Sequence, residues 1–175
     1  MKKNIFTIAI ILLVASQLFG QGYKKGVNNL NIGAGMGLNG ITGESSLPPL
    51  SLGYQLGIAD KYSIGAIVGY SSSTSSVLSY EWTYTYIVVG GRGEYHFMKS
   101  TDKLDAYAGA TLGYTIVSVS EPDNLPAYVT SSAATGYLIY GAHAGVRYAF
   151  SKSFGAFAEV GYGISLVTVG INFKL

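Results

Sequence analysis

The sequence predicts an all-β protein: an eight-stranded antiparallel up-and-down transmembrane β-barrel that follows a cleaved signal peptide. Three observations predict it. Apolar residues take every second place along eight segments, only 11% of residues are charged, and the connections alternate between short and long. Alternation has the period of a β-strand, and a tilted strand of about 9–11 residues crosses a bilayer.

The first twenty residues predict a secretory signal peptide rather than part of the fold. Lys2 and Lys3 give a positive start, an apolar run follows from Ile5 to Val14, and small residues come next. The run is too short for a membrane helix, which needs about 20 residues. We expect cleavage after Gly20, with Gly22 as the alternative, so that residues 21–175 form the barrel domain.

The first three segments after the leader each have one apolar face and one face of glycine, serine, asparagine or glutamine. They span Leu30–Leu38, Leu50–Ile58 and Tyr62–Ser72. The last four segments repeat the pattern with more alanine and tyrosine. They span Leu104–Val119, Ala134–Phe150, Phe154–Ile164 and Val167–Leu175. Each segment has nine or more residues and is therefore expected to be a membrane-crossing strand.

The fourth segment, Ser79–Phe97, is ambiguous, because Trp82 shares its parity with Arg92. An arginine facing lipid at mid-bilayer costs roughly 2–4 kcal/mol, so the face with Arg92 is expected to point inward. Trp82 lies roughly 33 Å along the strand from Arg92 at 3.3 Å per residue. It would sit at the outer interface, where the facing rule relaxes, or a bulge would shift the register.

The connections between the segments differ in kind. Three are short and charged: Asp60–Lys61, Met98–Lys103 and Ser151–Ser153. Three are expected to be longer loops rich in serine, glycine and proline: Gly40–Pro49, Ser71–Ser79 and Ser120–Ala133. The final connection, near Ser165, is tight. Short turns at one end and longer loops at the other are typical of outer-membrane barrels.

Six charged or titratable side chains are expected to face the lumen and to form a polar network. They are Arg92, Glu94, His96, His143, Arg147 and Glu159, and they include every arginine and histidine of the chain. Buried charges must be paired, and eight strands leave an interior just wide enough for side chains. We therefore expect a structural network that fills the lumen; a gate, a proton-linked site or a ligand site is the alternative.

Composition and motifs argue against several other functions. The chain has no cysteine, and its net charge of +2 is far from that of a strongly basic nucleic-acid binder. Gly35, Gly37 and Gly40 mimic a dinucleotide fingerprint, but no helix follows to bind phosphate. Two histidines on different strands do not predict a metal site. No cofactor, no metal and no catalytic residue is therefore expected.

Three stretches resemble the eight-stranded outer-membrane β-barrel family of Gram-negative bacteria, in the broad OmpA/OmpX-like class. They are Gly91–Phe97, Tyr107–Gly109 with Leu112–Tyr114, and Glu159–Gly163 running into Val169–Phe173 and an alternating apolar ending. This ending is similar to the assembly signal of such barrels, although Leu175 stands where an aromatic residue is usual. The resemblance implies a location in the outer membrane, contact with its lipid, insertion by the barrel-assembly machinery and a monomeric state.

A function follows from the resemblance only in outline, because one scaffold hosts many roles. We expect a structural or surface-interaction role, such as adhesion or host contact through the extracellular loops. A narrow channel for small solutes or ions is the alternative, and a lipid-modifying enzyme is less favoured. The sequence therefore predicts a non-enzymatic membrane protein.

Overall fold

Eight strands form one closed antiparallel barrel, in which each strand pairs with its sequence neighbours and the last pairs with the first. The computed structural model describes residues 23–36, 44–77, 80–98, 103–120, 134–162 and 164–175. The strands are β1 (Asn28–Met36), β2 (Glu44–Ala59), β3 (Tyr62–Val77), β4 (Tyr80–His96), β5 (Leu104–Ser120), β6 (Ala134–Ala149), β7 (Phe154–Gly161) and β8 (Val167–Lys174). The predicted fold class is confirmed. No helix in this part of the chain is long and apolar enough to cross a membrane.

Several predicted boundaries fall outside the described residues. The signal peptide and both candidate cleavage sites precede residue 23, and Leu38, expected to end the first strand, lies in 37–43. Most of the loop expected between Ser120 and Ala133 is likewise outside them.

Two segments expected to be loops are largely strand. Ser71 to Val77 continues β3 and pairs residue by residue with β4 as far as Tyr80. Serine hydroxyls leave the backbone free to form the ladder, so a serine-rich run did not end the strand. Pro48 and Pro49 lie inside β2 rather than in a loop, where the register with β3 shifts between Leu47 and Leu50. Proline is tolerated at such an irregularity because no ladder bond is lost there.

The seventh strand is shorter than predicted. It ends at Gly161 instead of Ile164, and β7 and β8 have 8 residues each rather than nine or more. Ile164 lies in the tight connection between them, and its side chain reaches Gly69 of β3, where a Cβ would meet it at 3.1 Å. Ile164 therefore packs into the lumen instead of extending β7 as predicted.

The predicted facing of the barrel wall is confirmed. Large apolar side chains such as Leu52, Ile64, Val89 and Leu112 are exposed on the outside. Serine, asparagine, glutamine and the charged side chains of the lumen are buried. So large an exposed apolar surface is unfavourable in water, whereas hydrocarbon accepts it, and a closed barrel leaves no unpaired edge in lipid.

Two clusters of aromatic side chains, together called the aromatic belt, lie at the end of the barrel that carries the short turns, here called the turn end. Its rings contact one another edge-on or tilted, with centroids 5.1–5.8 Å apart. The belt consists of Tyr62, Tyr95, Phe97, Tyr148, Phe150, Phe154 and Phe173. Such girdles lie at membrane–water interfaces, so this belt marks one boundary of the apolar band.

The polarity of the wall inverts at the opposite end, here called the loop end. Tyr70, Ile87 and Ile116 form the last apolar row on the outside, and the next row outward is Ser72, Thr85 and Ser118. On the inner face of β4 and β5 in these rows the side chains become aromatic or aliphatic. They are Trp82, Tyr84, Tyr86, Val117 and Val119.

This part of β3, β4 and β5, here called the extension, therefore has a hydroxyl-rich outer face, and its inner face is aromatic or aliphatic on β4 and β5 but carries the buried serines Ser71 and Ser73 on β3. That is the arrangement of a sheet in water. The ladders of β4 with β3 and β5 show no register shift. The bulge considered for Trp82 is absent, and a change of solvent explains its parity.

Candidate functional site

The structure places all six of the predicted polar residues on the lumen side and brings them into one connected cluster. Arg92, Glu94 and His96 come from β4, His143 and Arg147 from β6, and Glu159 from β7. They point inward because they alternate with outward-facing side chains such as Tyr95 and Val146. Adding Asp105 and Tyr107 of β5 completes what we call the lumen network.

Arg147 is the most connected member of the lumen network. Its guanidinium donates to Glu94 at 2.8 Å and to Asp105 at 3.2 Å, and it stacks 3.9 Å above the ring of Tyr107. All four groups are buried. A guanidinium paired with two carboxylates in this way satisfies charges that would otherwise be costly to bury.

A second group of contacts lies nearer the middle of the barrel. Arg92 donates to Glu159 Oε2 at 2.6 Å, and Tyr107 donates to the same oxygen at 3.1 Å. His143 Nε2 lies 3.5 Å from Glu94 Oε1, and its Nδ1 lies 3.4 Å from the hydroxyl of Thr111. The two arginines and three carboxylates thus form a continuous chain of opposite charges across the lumen.

Sequence reasoning missed three residues of this arrangement, Asp105, Tyr107 and Tyr23. Asp105 shares its parity with Tyr107 and Gly109, so the alternation of the fifth segment could have placed it inward. Tyr23 precedes the first strand, and no pattern in the sequence indicated its position. It is 2% exposed and stacks on His96 with ring centroids 4.0 Å apart.

Tyr23 closes the turn end of the lumen. Gly26 and Val27 tie its segment to the backbone of Gly57 by two hydrogen bonds of 2.8 Å. A Cβ on Gly57 would collide with the carbonyl oxygen of Lys24, so the segment approaches β2 as only a glycine permits. Burial raises the pKa of the Tyr23 hydroxyl to about 12, because water no longer stabilises the phenolate.

Both ring nitrogens of His96 have a hydrogen-bond partner. Its Nε2 lies 3.0 Å from the hydroxyl of Ser63, and its Nδ1 lies 2.9 Å from Asp105 Oδ2. The three residues stand on the neighbouring strands β3, β4 and β5. This Ser-His-Asp arrangement lies at the turn end, inside the barrel.

The spaces that remain in the lumen are small. A cavity of about 40 Å³ at the turn end is lined by Tyr23, Asp105 and three lysines. A second, of about 30 Å³, lies between Arg92, His143, Glu159 and Ile164. A cavity needs only about 10–15 Å³ to hold a water. Each of these therefore has room for a water or two and not for a solute.

Three possible metal ligands converge within 4.8 Å, namely Glu94, His143 and Glu159. The Arg92 guanidinium already binds Glu159 and lies 3.6 Å from Glu94. A positive group therefore occupies the position that a metal ion would take. The expectation that the lumen holds no metal stays a prediction.

The fold has clear counterparts among solved structures. OprG from Pseudomonas aeruginosa is 14% identical, with 89% of this chain and 99% of that chain covered at a TM-score of 0.64. The N-terminal barrel domain of OprF from the same organism is 14% identical, with 86% and 98% covered at a TM-score of 0.58. Ail, the attachment invasion locus protein of Yersinia pestis, crystallised with the heparin analogue sucrose octasulfate, is 13% identical, with 86% and 95% covered at 0.53.

No protein-family model matches the sequence, and no curated protein sequence matches it. At these identities the likeness concerns the fold. The chain therefore has the eight-stranded barrel architecture of bacterial outer-membrane proteins.

Proposed function

We propose that the chain is an exported outer-membrane barrel, inserted by the barrel-assembly machinery, with its turn end in the periplasm and its loop end outside the cell. Three observations support this: the apolar outer surface, the aromatic belt at the turn end, and the fold shared with outer-membrane proteins. The predicted signal peptide supplies the export route.

We further propose that its role is structural or surface-interactive and does not depend on passage through the lumen. The observation that carries this proposal is the closed interior. Tyr23 covers one end, the lumen network fills the middle, and Ile164 packs against Gly69 above it. Passage of a solute would require several buried ion pairs to separate.

The extension is the surface that we propose for contact with a partner. It projects beyond the apolar band, its outer face presents hydroxyls, and the rings of its inner face stay partly exposed. Tyr and Trp are effective at interfaces because they present both apolar contact and a hydrogen-bonding group. The sequence has no lysine or arginine between Lys61 and Arg92 or between Lys103 and Arg147, so both long hairpins of the loop end lack basic residues.

This charge pattern distinguishes the chain from a binder of polyanions. Ail is known in complex with sucrose octasulfate, and recognition of such a ligand needs cationic groups. A loop end without them favours an uncharged or cationic partner. Binding of sucrose octasulfate to the refolded protein, measured by calorimetry, is therefore expected to be absent.

Planar-bilayer recording tests the proposal against the channel alternative. The refolded wild type is expected to insert without discrete conductance steps. The double variant Arg92→Ala/Glu159→Ala keeps the net charge and removes one buried pair, so any conductance should appear in it first. Regular openings of the wild type would contradict the proposal and favour the channel.

A second experiment tests the surface role. Cells that display the wild type are compared with cells that display Trp82→Ala/Tyr84→Ala for adhesion to a panel of host-cell and matrix-coated surfaces. Lys152→Ala, at the turn end, is the matched control. We expect the loss of adhesion only in the double variant; equal adhesion of all three would remove the surface role.

A further inference from the structure

Ser63, His96 and Asp105 form a hydrogen-bonded chain with the connectivity of a serine hydrolase triad. The hydroxyl lies 3.0 Å from Nε2 and the carboxylate lies 2.9 Å from Nδ1. All three side chains are buried, at 2%, 0% and 5% exposure. In such a triad the carboxylate binds Nδ1, the serine binds Nε2, and the imidazole takes the serine proton.

The hydrogen-bond partners of His96 assign a role to each of its two nitrogens in the neutral ring, and Glu94 Oε2 lies farther from Nε2, at 3.9 Å. A carboxylate only accepts hydrogen bonds, so the proton of a neutral His96 lies on Nδ1 and points to Asp105. Its Nε2 then accepts from Ser63. Arg147 donates to the same carboxylate at 3.2 Å, which holds Asp105 in place. The arrangement is that of a nucleophile, a base and an orienting acid.

A further hydrogen-bond donor stands on the same face of the barrel. Gln55 of β2 is 1% exposed, and neither atom of its side-chain amide has a hydrogen-bond partner in the described structure. Its amide packs against Gly65, two positions from Ser63. A buried amide without partners is costly, so the Gln55 amide group keeps an unused donor and an unused acceptor inside the lumen.

We propose that Ser63, His96 and Asp105 form a latent acyl-transfer site for an ester that carries an anionic group. Ser63 Oγ bonds to the ester carbonyl carbon while His96 takes its proton. The alkoxide leaves with that proton, and water then releases the acid and restores Ser63. The anionic preference follows from the mouth of the lumen, which Lys103, Lys152 and Lys174 line.

Tyr23 makes the site latent. Its ring stacks on His96 at an interplanar angle of 10° and covers the approach from the turn end. Its segment is joined to β1 through Gly26, at a φ of 84°. Removing the ring while keeping the backbone contacts of Gly26 and Val27 should open the approach to Ser63 without dismantling the barrel.

The test uses diisopropyl fluorophosphate on the full refolded chain in detergent. Ser63 Oγ would bond to phosphorus, fluoride would leave, and the serine proton would leave with it. Intact mass and peptide mapping measure the rate and position of the adduct. We expect Tyr23→Ala to be labelled on Ser63 at least tenfold faster than the wild type. Ser71→Ala, a buried serine of the same strand and face, is the matched control and should be labelled as the wild type is.

Two variants separate a working triad from a structural hydrogen-bond chain. In the Tyr23→Ala background, Asp105→Asn should slow labelling at least a hundredfold, since loss of the correct tautomer costs about 10⁴-fold in a known triad. His96→Gln provides the same readout if the asparagine variant does not fold. Absence of an adduct on Ser63 in folded Tyr23→Ala, or labelling that is unchanged in both variants, would overturn the proposal.

A complementary measurement addresses the substrate class. Hydrolysis of a 4-nitrophenyl ester with a terminal carboxylate is compared with that of its neutral counterpart in Tyr23→Ala. We expect a preference of at least fivefold for the anionic ester, and Lys103→Gln/Lys152→Gln should abolish this preference. Equal rates on both esters would overturn the assignment of the substrate class.

Discussion

The two halves of the barrel interior follow opposite rules although the same strands build them. Near the turn end, β4 places Arg92, Glu94 and His96 inside and apolar side chains outside. Toward the loop end, the inner face of β4 changes to aromatic side chains. They begin with Tyr86, six residues before Arg92, and continue with Tyr84 and Trp82. The outer face changes in the opposite sense, from Ile87 to Thr85 and Thr83.

The solvent outside the wall explains the difference. In hydrocarbon the outer face must be apolar, and the narrow lumen accepts polar side chains if they are paired. In water the usual amphipathic sheet returns. The change between Ile87 and Thr85 therefore marks the membrane surface, and β4 crosses it without a change in register.

The largest expected effect is at the centre of the polar half. Arg147→Ala leaves Glu94 and Asp105 without their main cation, and breaking a buried pair costs about 3–5 kcal/mol. Urea unfolding in detergent, followed by tryptophan fluorescence, measures the loss. Lys152→Ala, on an exposed turn, should stay within about 0.5 kcal/mol. Equal effects of the two variants would mean that the lumen network does not stabilise the barrel.

The next prediction tests the position of the membrane surface. Leu112→Arg places a charge in the apolar band and should cost about 2–4 kcal/mol. Ser118→Arg lies on the same strand and face, six residues further out, and should cost within about 0.5 kcal/mol. Unfolding from lipid vesicles compares them. If Ser118→Arg costs as much as Leu112→Arg, the wall does not invert where we place the boundary.

A smaller effect is expected where the N-terminal segment enters the lumen. Gly57→Ala should cost about 1–3 kcal/mol, as overpacking does, because its Cβ would meet the Lys24 carbonyl. Gly53→Ala, on the same strand and face, has its nearest neighbour at 3.8 Å and serves as the control. The urea unfolding midpoints of the two variants are compared. Equal midpoints would mean that the segment of Tyr23 does not pack against Gly57.

The smallest effect concerns alkaline pH. The pKa of Tyr23 is raised from 10.0 to about 12 in the folded protein. Its contribution to the free energy of unfolding is therefore complete below pH 10 and is lost as the pH rises through 12. Between pH 9 and pH 11 the wild type should therefore lose more stability than Tyr23→Phe, which cannot ionise. If the stability of the two proteins falls equally with pH, the Tyr23 side chain is exposed to water rather than buried.

The alternation of the sequence was sufficient to predict the fold and the inward side of six charged residues. One apolar and one small or polar face on each strand leave little choice of architecture. Asp105 was within reach of the same argument, since it shares its parity with Tyr107. The extension was missed because serine-rich hairpins resemble loops in composition, although their backbones pair normally.

Side-chain contacts between strands lay beyond sequence reasoning. The distance between Ser63 and His96 depends on the register of β3 with β4, and that of His96 to Asp105 on the register of β4 with β5. Alternation gives the face of each residue but not its height in the barrel. Tyr23 lies outside any strand, so no periodicity could have placed it.

Trp82 allows the most direct test, because it is the single tryptophan of the chain and lies on the inner face of the extension. It stands five residues beyond Ile87, about 16 Å along the strand at 3.3 Å per residue. Its fluorescence is measured in vesicles whose lipids carry bromine on the acyl chains, and again with aqueous acrylamide. We predict quenching by acrylamide and none by the brominated chains. Strong quenching by the brominated chains would place Trp82 in the bilayer and contradict the inversion of the wall.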